Sequence, residues 1–199
     1  MGIEGPTLDG RVDMTETVYS VGVIVGSASE PSLNRRFADA LALLAPDAGL
    51  ELTGIPIGDL PFYGTQYDKD FPARGRELKR AIEDADGLLI VTPEYNRSIP
   101  GVLKNAIDWA TRPGGQSSLT GKPTAVTGAT RGAVSTAVAQ GHLKSILAAQ
   151  GAPLVGVPEA YIRIGDDFFA DDGSIRSEGT REFLTGFLRA LHELIARWQ

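Results

Sequence analysis

The sequence predicts an α/β fold in which a doubly wound, five-stranded parallel sheet carries helices on both faces. Three observations predict it. Strand-like and helix-like segments alternate five times along the chain. The strand-like runs are nearly continuous in apolar residues, above all GLLIVT at 87–92, as strands covered on both faces are. Glycine is 24 of 199 residues, about 12% against a usual ~7%, which suits tight turns and close backbone approaches.

Residues 1–17 are polar and rich in Gly, Asp and Glu, and read as a flexible tail, leaving 18–199 as one domain. The β-branched run at 18–25 is a buried strand ending at Gly26-Ser27. Ser29 is placed to cap the following helix and Pro31 to fit its first turn. Leu33, Phe37, Leu41 and Leu44 follow at helical spacing until Pro46 stops them. A second strand covers 50–57. The turn-rich stretch 58–72, with Pro61, Phe62, Tyr63, Gly64 and Tyr67, is long enough to suggest a functional loop. A helix at 73–85 carries Leu78, Ala81 and Ile82, and the third strand is 87–92. After a loop at 93–99, a helix at 100–111 lines up Leu103, Ala106, Ile107 and Ala110. The Gly/Ser/Pro-rich stretch 112–121 reads as an exposed linker. The fourth strand is expected at 123–127, a turn at 128–132, a helix at 133–150, and the fifth strand at 153–157 with Ile164 as its outer limit. An acidic turn spans 166–173. Phe183, Phe187, Leu191, Leu194, Ile195 and Trp198 form the stripe of a closing amphipathic helix.

Composition removes whole classes of function. With no cysteine there is no disulfide, thiolate metal site, iron–sulfur cluster or cysteine nucleophile. His142 and His192 are the only histidines, too few for a multi-histidine metal site. A net charge of −6 gives no global attraction to nucleic acid or anionic lipid. No apolar run approaches the ~20 residues of a membrane-spanning helix. No secretory signal is visible in the first residues, so the cytoplasm is expected and the Asn96-Arg97-Ser98 sequon is taken as chance.

In doubly wound sheets, ligands bind beyond the carboxyl ends of the strands, where the strand order reverses. That rule selects three loops. The first, GSASEPSLN at 26–34, sets Ser27, Ser29, Ser32 and Asn34 around a helix N-terminus, whose free N–H groups and dipole favour a phosphate. Arg35 and Arg36 add charge, although cations there oppose the dipole. The alternative is plain capping by Ser29, which needs one such residue and not four. Gly-x-Gly-x-x-Gly is missing, and 115–122 lacks P-loop spacing and precedes a strand. The second loop, TPEYNRSIPG at 92–101, is stiffened by Pro93 and Pro100. Its Tyr95 and Asn96 suit either a planar heterocycle or local packing. The third, TGATRGA at 127–133, brings glycines and Arg131, or is simply a strand-to-helix turn. Together the loops fit one phosphate-bearing planar ligand.

The remaining polar residues have plainer readings. His192 is expected on the surface and His142 on a helix surface or an interface. Asp166, Asp167, Asp171 and Asp172 form a solvated turn, lacking the full calcium-loop pattern. Trp109 and Trp198 are core or interface anchors. Glu94 has three candidate partners: backbone amides, a partner chain or the ligand.

The segment ADGLLIVTPEYNRSIPGVLKNAIDWATRP at 85–113 resembles the NAD(P)H-dependent FMN reductase family of flavodoxin-like proteins, which includes quinone, azo-dye and chromate reductases. The Gly-Ser…Ser-x-Asn loop at 26–34 is a second, weaker match, and the resemblance spans 18–152. It implies a flavodoxin-like sheet that binds FMN and uses NADPH or NADH as co-substrate. By position, Ser27, Ser32, Leu33 and Asn34 would hold the phosphate. Ser29 stands where the family commonly has arginine, a loss for which Arg35 is the candidate compensation. Pro93, Glu94, Tyr95 and Asn96 would line the isoalloxazine and ribityl chain. Thr127, Gly128, Arg131 and Gly132 would face the other side of the ring, although Ala133-Val134 replaces the family's usual Gly-plus-basic continuation.

No nucleophile–base pair is present, and a flavin reductase needs none, because the cofactor carries the hydride chemistry. No side chain is therefore assigned a catalytic proton. The implied reaction passes hydride from NAD(P)H through FMN to a small-molecule acceptor such as a quinone, azo compound or flavin. The family also implies a homodimer or homotetramer, with neither nucleic acid nor membrane as partner. Two alternatives stand beside the enzyme: a non-enzymatic flavodoxin-like electron carrier, and an oligomeric scaffold that has lost FMN.

Overall fold

Five strands pair in parallel in the order β2-β1-β3-β4-β5 in the computed structural model, which describes residues 17–199. The tail expected at 1–17 lies outside the described residues except for Thr17. In chain order the elements are β1 (Tyr19–Val25), α1 (Leu33–Leu44), β2 (Leu50–Gly54), α2 (Ala73–Glu83), β3 (Gly87–Val91), α3 (Gly101–Ala110), β4 (Thr124–Thr130), α4 (Ala137–Ala149), β5 (Ala160–Arg163) and α5 (Glu178–Ala196). The chain leaves β1 first to one side, for β2, and then to the other, for β3, so the switch point lies between β1 and β3.

The central strands explain their own composition. In β3, Leu89 and Val91 face one layer while Leu88 and Ile90 face the other, following the period of two. The first layer is closed by α1 and α5 through Phe37, Leu41, Phe187, Leu191 and Ile195. The second is closed by α2, α3 and α4 through Ile82, Leu103, Trp109 and Leu143. Both faces are dry, so an all-apolar strand is what the position demands.

Several expected boundaries move. The first helix starts at Leu33 and is capped by Ser32, whose Oγ accepts from the Arg35 N–H at 3.1 Å, so neither Ser29 nor Pro31 belongs to it. Strand β2 stops at Gly54; Ile55 still donates to the Val23 carbonyl at 2.8 Å before Pro56, which has no N–H. Strand β4 runs on to Thr130, three residues past its expected end. Helix α4 begins only at Ala137, because the turn before it holds Ser135 at a φ of 56°. The fifth strand is not at 153–157, where Leu154 makes only an isolated bridge to Thr124. It is Ala160–Arg163, a four-residue edge strand that alternates buried and exposed residues. The apolar run PLVGV drew the expectation, but Pro158 interrupts it and a short edge strand needs little apolar content.

The stretch 112–121 is exposed only in part: Arg112, Gly114, Gly115, Gln116 and Thr120 face solvent, but its end is anchored. Ser118 and Leu119 are buried, and the Lys79 ammonium donates to Ser118 Oγ at 2.9 Å and to the Gln116 carbonyl. Within 58–72, Tyr63, Tyr67 and Phe71 surround Trp109 with ring centroids 5.3, 5.2 and 5.1 Å away. Trp109 Nε1 donates to the Pro61 carbonyl at 2.7 Å, and Asn105 Oδ1 accepts from the Tyr63 N–H at 2.9 Å. Trp109 is fully buried as expected, whereas Trp198 is exposed.

His192 is not on the surface. It is 4% exposed, packs against Tyr19 at 4.8 Å and reaches the Thr17 carbonyl from Nε2 at 2.9 Å. At the same sheet edge, Asp86 accepts from the Ser20 N–H at 2.8 Å and from Gln199 Nε2 at 2.9 Å. The described chain therefore begins and ends at the amino edge of the sheet, opposite the loops selected from the sequence.

Candidate functional site

Beyond the carboxyl edge, the sheet continues for one more rung on each side of β3. Gly26 donates to the Val91 carbonyl and Thr92 to the Thr127 carbonyl, each at 2.9 Å. This close seating requires Gly128. A Cβ built there would stand 1.9 Å from the Thr92 carbonyl oxygen and 2.7 Å from Thr136 Oγ1. Loops one and two thus leave the sheet side by side.

The first loop folds into a helix N-terminus rich in donors. Ser27 Oγ accepts from the Ser29 N–H at 3.3 Å, and Ser32 caps α1. Among the described residues no acceptor takes the main-chain N–H of Ser27, Leu33 or Asn34. The first turn of α1 holds no acidic residue. Ser27, Ser29, Ser32 and Arg35 help line a groove of about 600 Å³ that extends to Pro56 and Gly58. The Arg36 guanidinium is drawn aside, 4.1 Å over the Phe169 ring.

Asn34 has a different place from the one its amide suggested. It is 3% exposed; its Nδ2 donates to the Ala129 carbonyl and its Oδ1 accepts from the Ala129 N–H, both at 2.9 Å. The side chain ties α1 to β4, leaving the main-chain N–H as the group it offers outward.

The second loop is a tight hairpin turn. Tyr95 and Ser98 exchange main-chain hydrogen bonds of 2.9 and 3.0 Å, and Asn96 and Arg97 between them take left-handed φ values of 50° and 65°. The Tyr95 hydroxyl lies 2.9 Å from Ser29 Oγ, joining this loop to the first. Glu94 takes the backbone-amide option: Oε2 accepts from the Val138 and Ala139 N–H groups at 3.1 Å each. Its other oxygen accepts from Arg97 at 3.3 Å. His142 is exposed on α4, as expected, with Nδ1 3.1 Å from Ser98 Oγ.

The third loop is shorter than its sequence suggested. Thr127 and Gly128 lie inside β4, and Thr127 Oγ1 donates to the Ala160 carbonyl at 2.9 Å. Only the turn from Arg131 remains at the rim, where Gly132 donates to Thr130 Oγ1 at 3.3 Å. Arg131 is exposed and paired with Asp166 at 2.5 Å.

The structure therefore brings loops one and two together directly, ties the third in through Asn34 and the Thr92–Thr127 rung, and anchors loop two to α4 through Glu94. Sequence reasoning missed the Ser29–Tyr95 contact and the choice Glu94 makes. No local pattern marks either, because both join segments far apart in the chain and Thr136 makes no cap of its own for α4. What the site offers is main-chain and hydroxyl donors for an anion, flanked by a stiff turn. Among the described residues no group of three or more His, Asp or Glu is placed to hold a metal ion.

A family model described as NADPH-dependent FMN reductase matches residues 19–167. The chain is 49% identical over 168 residues to the 2-hydroxy-1,4-benzoquinone reductase of a Burkholderia species, covering 84% of this chain and 91% of that one. It is 39% identical over 188 residues to the quinone reductase of Escherichia coli K12, covering 92% and 98%. Among solved structures, FerB, a flavoenzyme NAD(P)H:(acceptor) oxidoreductase from Paracoccus denitrificans, superposes with a TM-score of 0.86 at 45% identity, over 90% of this chain and 98% of that one.

Proposed function

The chain belongs to the NADPH-dependent FMN reductase family, and from that premise we propose that its sheet-edge loops form an FMN site at which quinones are reduced. The protein is an FMN-dependent NAD(P)H oxidoreductase with the flavodoxin-like fold. The quinone class is favoured by the printed functions of the Burkholderia and Escherichia coli relatives. Azo compounds and free flavins are further candidate acceptors, and NADPH and NADH both remain candidate donors.

The donor set fits the cofactor. The observation that carries the reading is the group of free N–H donors at Ser27, Leu33 and Asn34, beside a second loop held close by the Ser29–Tyr95 contact of 2.9 Å. These N–H groups and the Ser27 hydroxyl bind the phosphate, with the dipole of α1 behind them. Arg35 supplies the charge that Ser29, replacing the family's common arginine, does not. Pro93, Tyr95 and Asn96 line the ring. Thr127 and Gly128 contribute by closing β4 against β3, and Arg131 and Gly132 lie at the rim.

FMN, when bound, would supply the hydride and electron-transfer chemistry between NAD(P)H and the acceptor. The protein's part is electrostatic. The main-chain N–H groups of Asn96 and Arg97, unused by the hairpin, would be available as donors to the bound ring. Glu94, already neutralised by a helix N-terminus and Arg97, puts no bare carboxylate beside an electron-rich ring.

The protein is taken to act in the cytoplasm as a homodimer or homotetramer; no helix among the described residues is long and apolar enough to cross a membrane. Light scattering on the eluting protein tests the assembly. The activity test is a purified, yellow protein that oxidises NADPH or NADH only when a quinone is added. A colourless protein that takes up no added FMN would overturn the site. A flavin that is loaded but never reduced by either nucleotide would leave an electron carrier.

A further inference from the structure

We propose that helix α4 is the platform that sets the 94–98 turn, with Glu94 and His142 as positioning residues, and that this setting governs how tightly FMN is held and how readily it is reduced. The inference rests on the FMN-site reading above.

The turn is pinned at both ends to one face of one helix. At its start, Glu94 Oε2 accepts from the N–H groups of Val138 and Ala139, 3.1 Å away. These are the second and third residues of α4, whose N–H groups have no partner within the helix. Thr136, the residue in the capping position, makes no side-chain cap. A carboxylate from a distant loop therefore completes the helix, with charge of the sign its dipole favours. At the other end of the turn, Ser98 Oγ meets His142 Nδ1 at 3.1 Å. The first pin is on the main-chain N–H groups at the start of α4 and the second on a side chain about one turn further along it.

Between the pins the backbone is not at rest. Asn96 and Arg97 both hold positive φ, a region that Asn adopts readily in a hairpin turn but Arg seldom does. The hairpin bonds use the N–H groups of Tyr95 and Ser98, so they fix the shape of the turn but not its direction relative to the sheet. The pins fix that direction on the α4 side, as the Ser29–Tyr95 contact of 2.9 Å does on the side of the first loop. Glu94 has a side chain only 10% exposed and also holds Arg97 at 3.3 Å, so one carboxylate stabilises both the helix and the strained residue. Neither Glu94 nor His142 needs to touch the cofactor. Both act through the main-chain donors of Asn96 and Arg97.

The test uses full-length Glu94→Ala, Glu94→Gln and His142→Ala. The readouts are FMN dissociation constants from fluorescence quenching and the midpoint potential of the bound FMN. Glu94→Ala is expected to weaken FMN about tenfold, as the loss of charge-assisted bonds would, and to lower the potential. Glu94→Gln keeps an acceptor oxygen and should recover most of the affinity. His142→Ala should give a smaller loss, about threefold. Lower melting temperatures with unchanged affinity and potential would reduce both residues to scaffolding and overturn the proposal. Should Glu94→Ala fail to fold, unchanged constants in Glu94→Gln and His142→Ala would overturn it equally. A wild-type protein that binds no FMN would be a separate result, and would sink the site itself before any variant is measured.

Discussion

Asn34 shows how a single side chain can shape a candidate site without facing it. Its amide serves as hydrogen-bond partner to the Ala129 peptide groups, beyond the last pair of β3 with β4 at Val91 and Thr127, with both bonds at 2.9 Å. Asn34→Ala leaves the buried Ala129 N–H and carbonyl without these partners, at about 1–3 kcal/mol for each group. Denaturant unfolding should register that loss, together with weaker FMN binding as the start of α1 drifts; unaltered stability would contradict the joint. The sequence made Asn34 a candidate site residue through its place in the loop but left its direction open, since an amide suits a phosphate and a peptide group equally well. Tyr161 offers a residue-scale test of electrostatics. Burial, followed by the Glu159 carboxylate beside it, pushes its phenol up to about 12. The folded state thus keeps the proton that the unfolded chain loses near pH 10. Its contribution to stability is intact below that pH and is lost as pH rises through about 12. The difference in phenolate absorbance between wild type and Tyr161→Phe should show one late titration; a midpoint near the ordinary value would refute it.

Among the elements, α3 and the segment at 58–72 depend on each other. Trp109 sits inside three aromatic rings and also donates to Pro61. Trp109→Ala should cost about 3–5 kcal/mol, the usual range for a buried aromatic, and should expose 58–72 to limited proteolysis ahead of the rest of the chain. Cleavage at wild-type rates would mean the segment is held by something else. The tryptophan was legible as a core anchor, and the long loop as unusual. Their pairing was not, because aromatic clusters leave no periodic trace when their members come from a loop. The strands show the same limit. β3 was read almost to the residue from its apolar run, being covered on both faces. β5 lies within the outer limit at Ile164 but beyond the expected 153–157, because it is short, half exposed and preceded by a more apolar run that pairs only at Leu154. Hydrophobic pattern reports burial, and an edge strand has little of it to report.

For the molecule as a whole, the doubly wound parallel sheet followed from the alternation of elements and the switch-point rule named three candidate loops, while the strand order and the joints between loops had to be seen in three dimensions. Since the site joins β1, β3, β4 and α4, its ligand should stabilise the entire domain and not one lobe. FMN at one hundred times its dissociation constant should raise the unfolding free energy by about 2.7 kcal/mol, in a single transition seen alike by fluorescence and circular dichroism. Two separated transitions would argue against one cooperative unit. The geometry of the chain ends has a practical corollary. Thr17 is held by His192 and Gln199 by Asp86, both on the side of the sheet away from the loops. Tethering the protein to a solid support through Gln199 would turn its reactive end outward, so a surface-bound monolayer should keep its access to diffusing donors and acceptors.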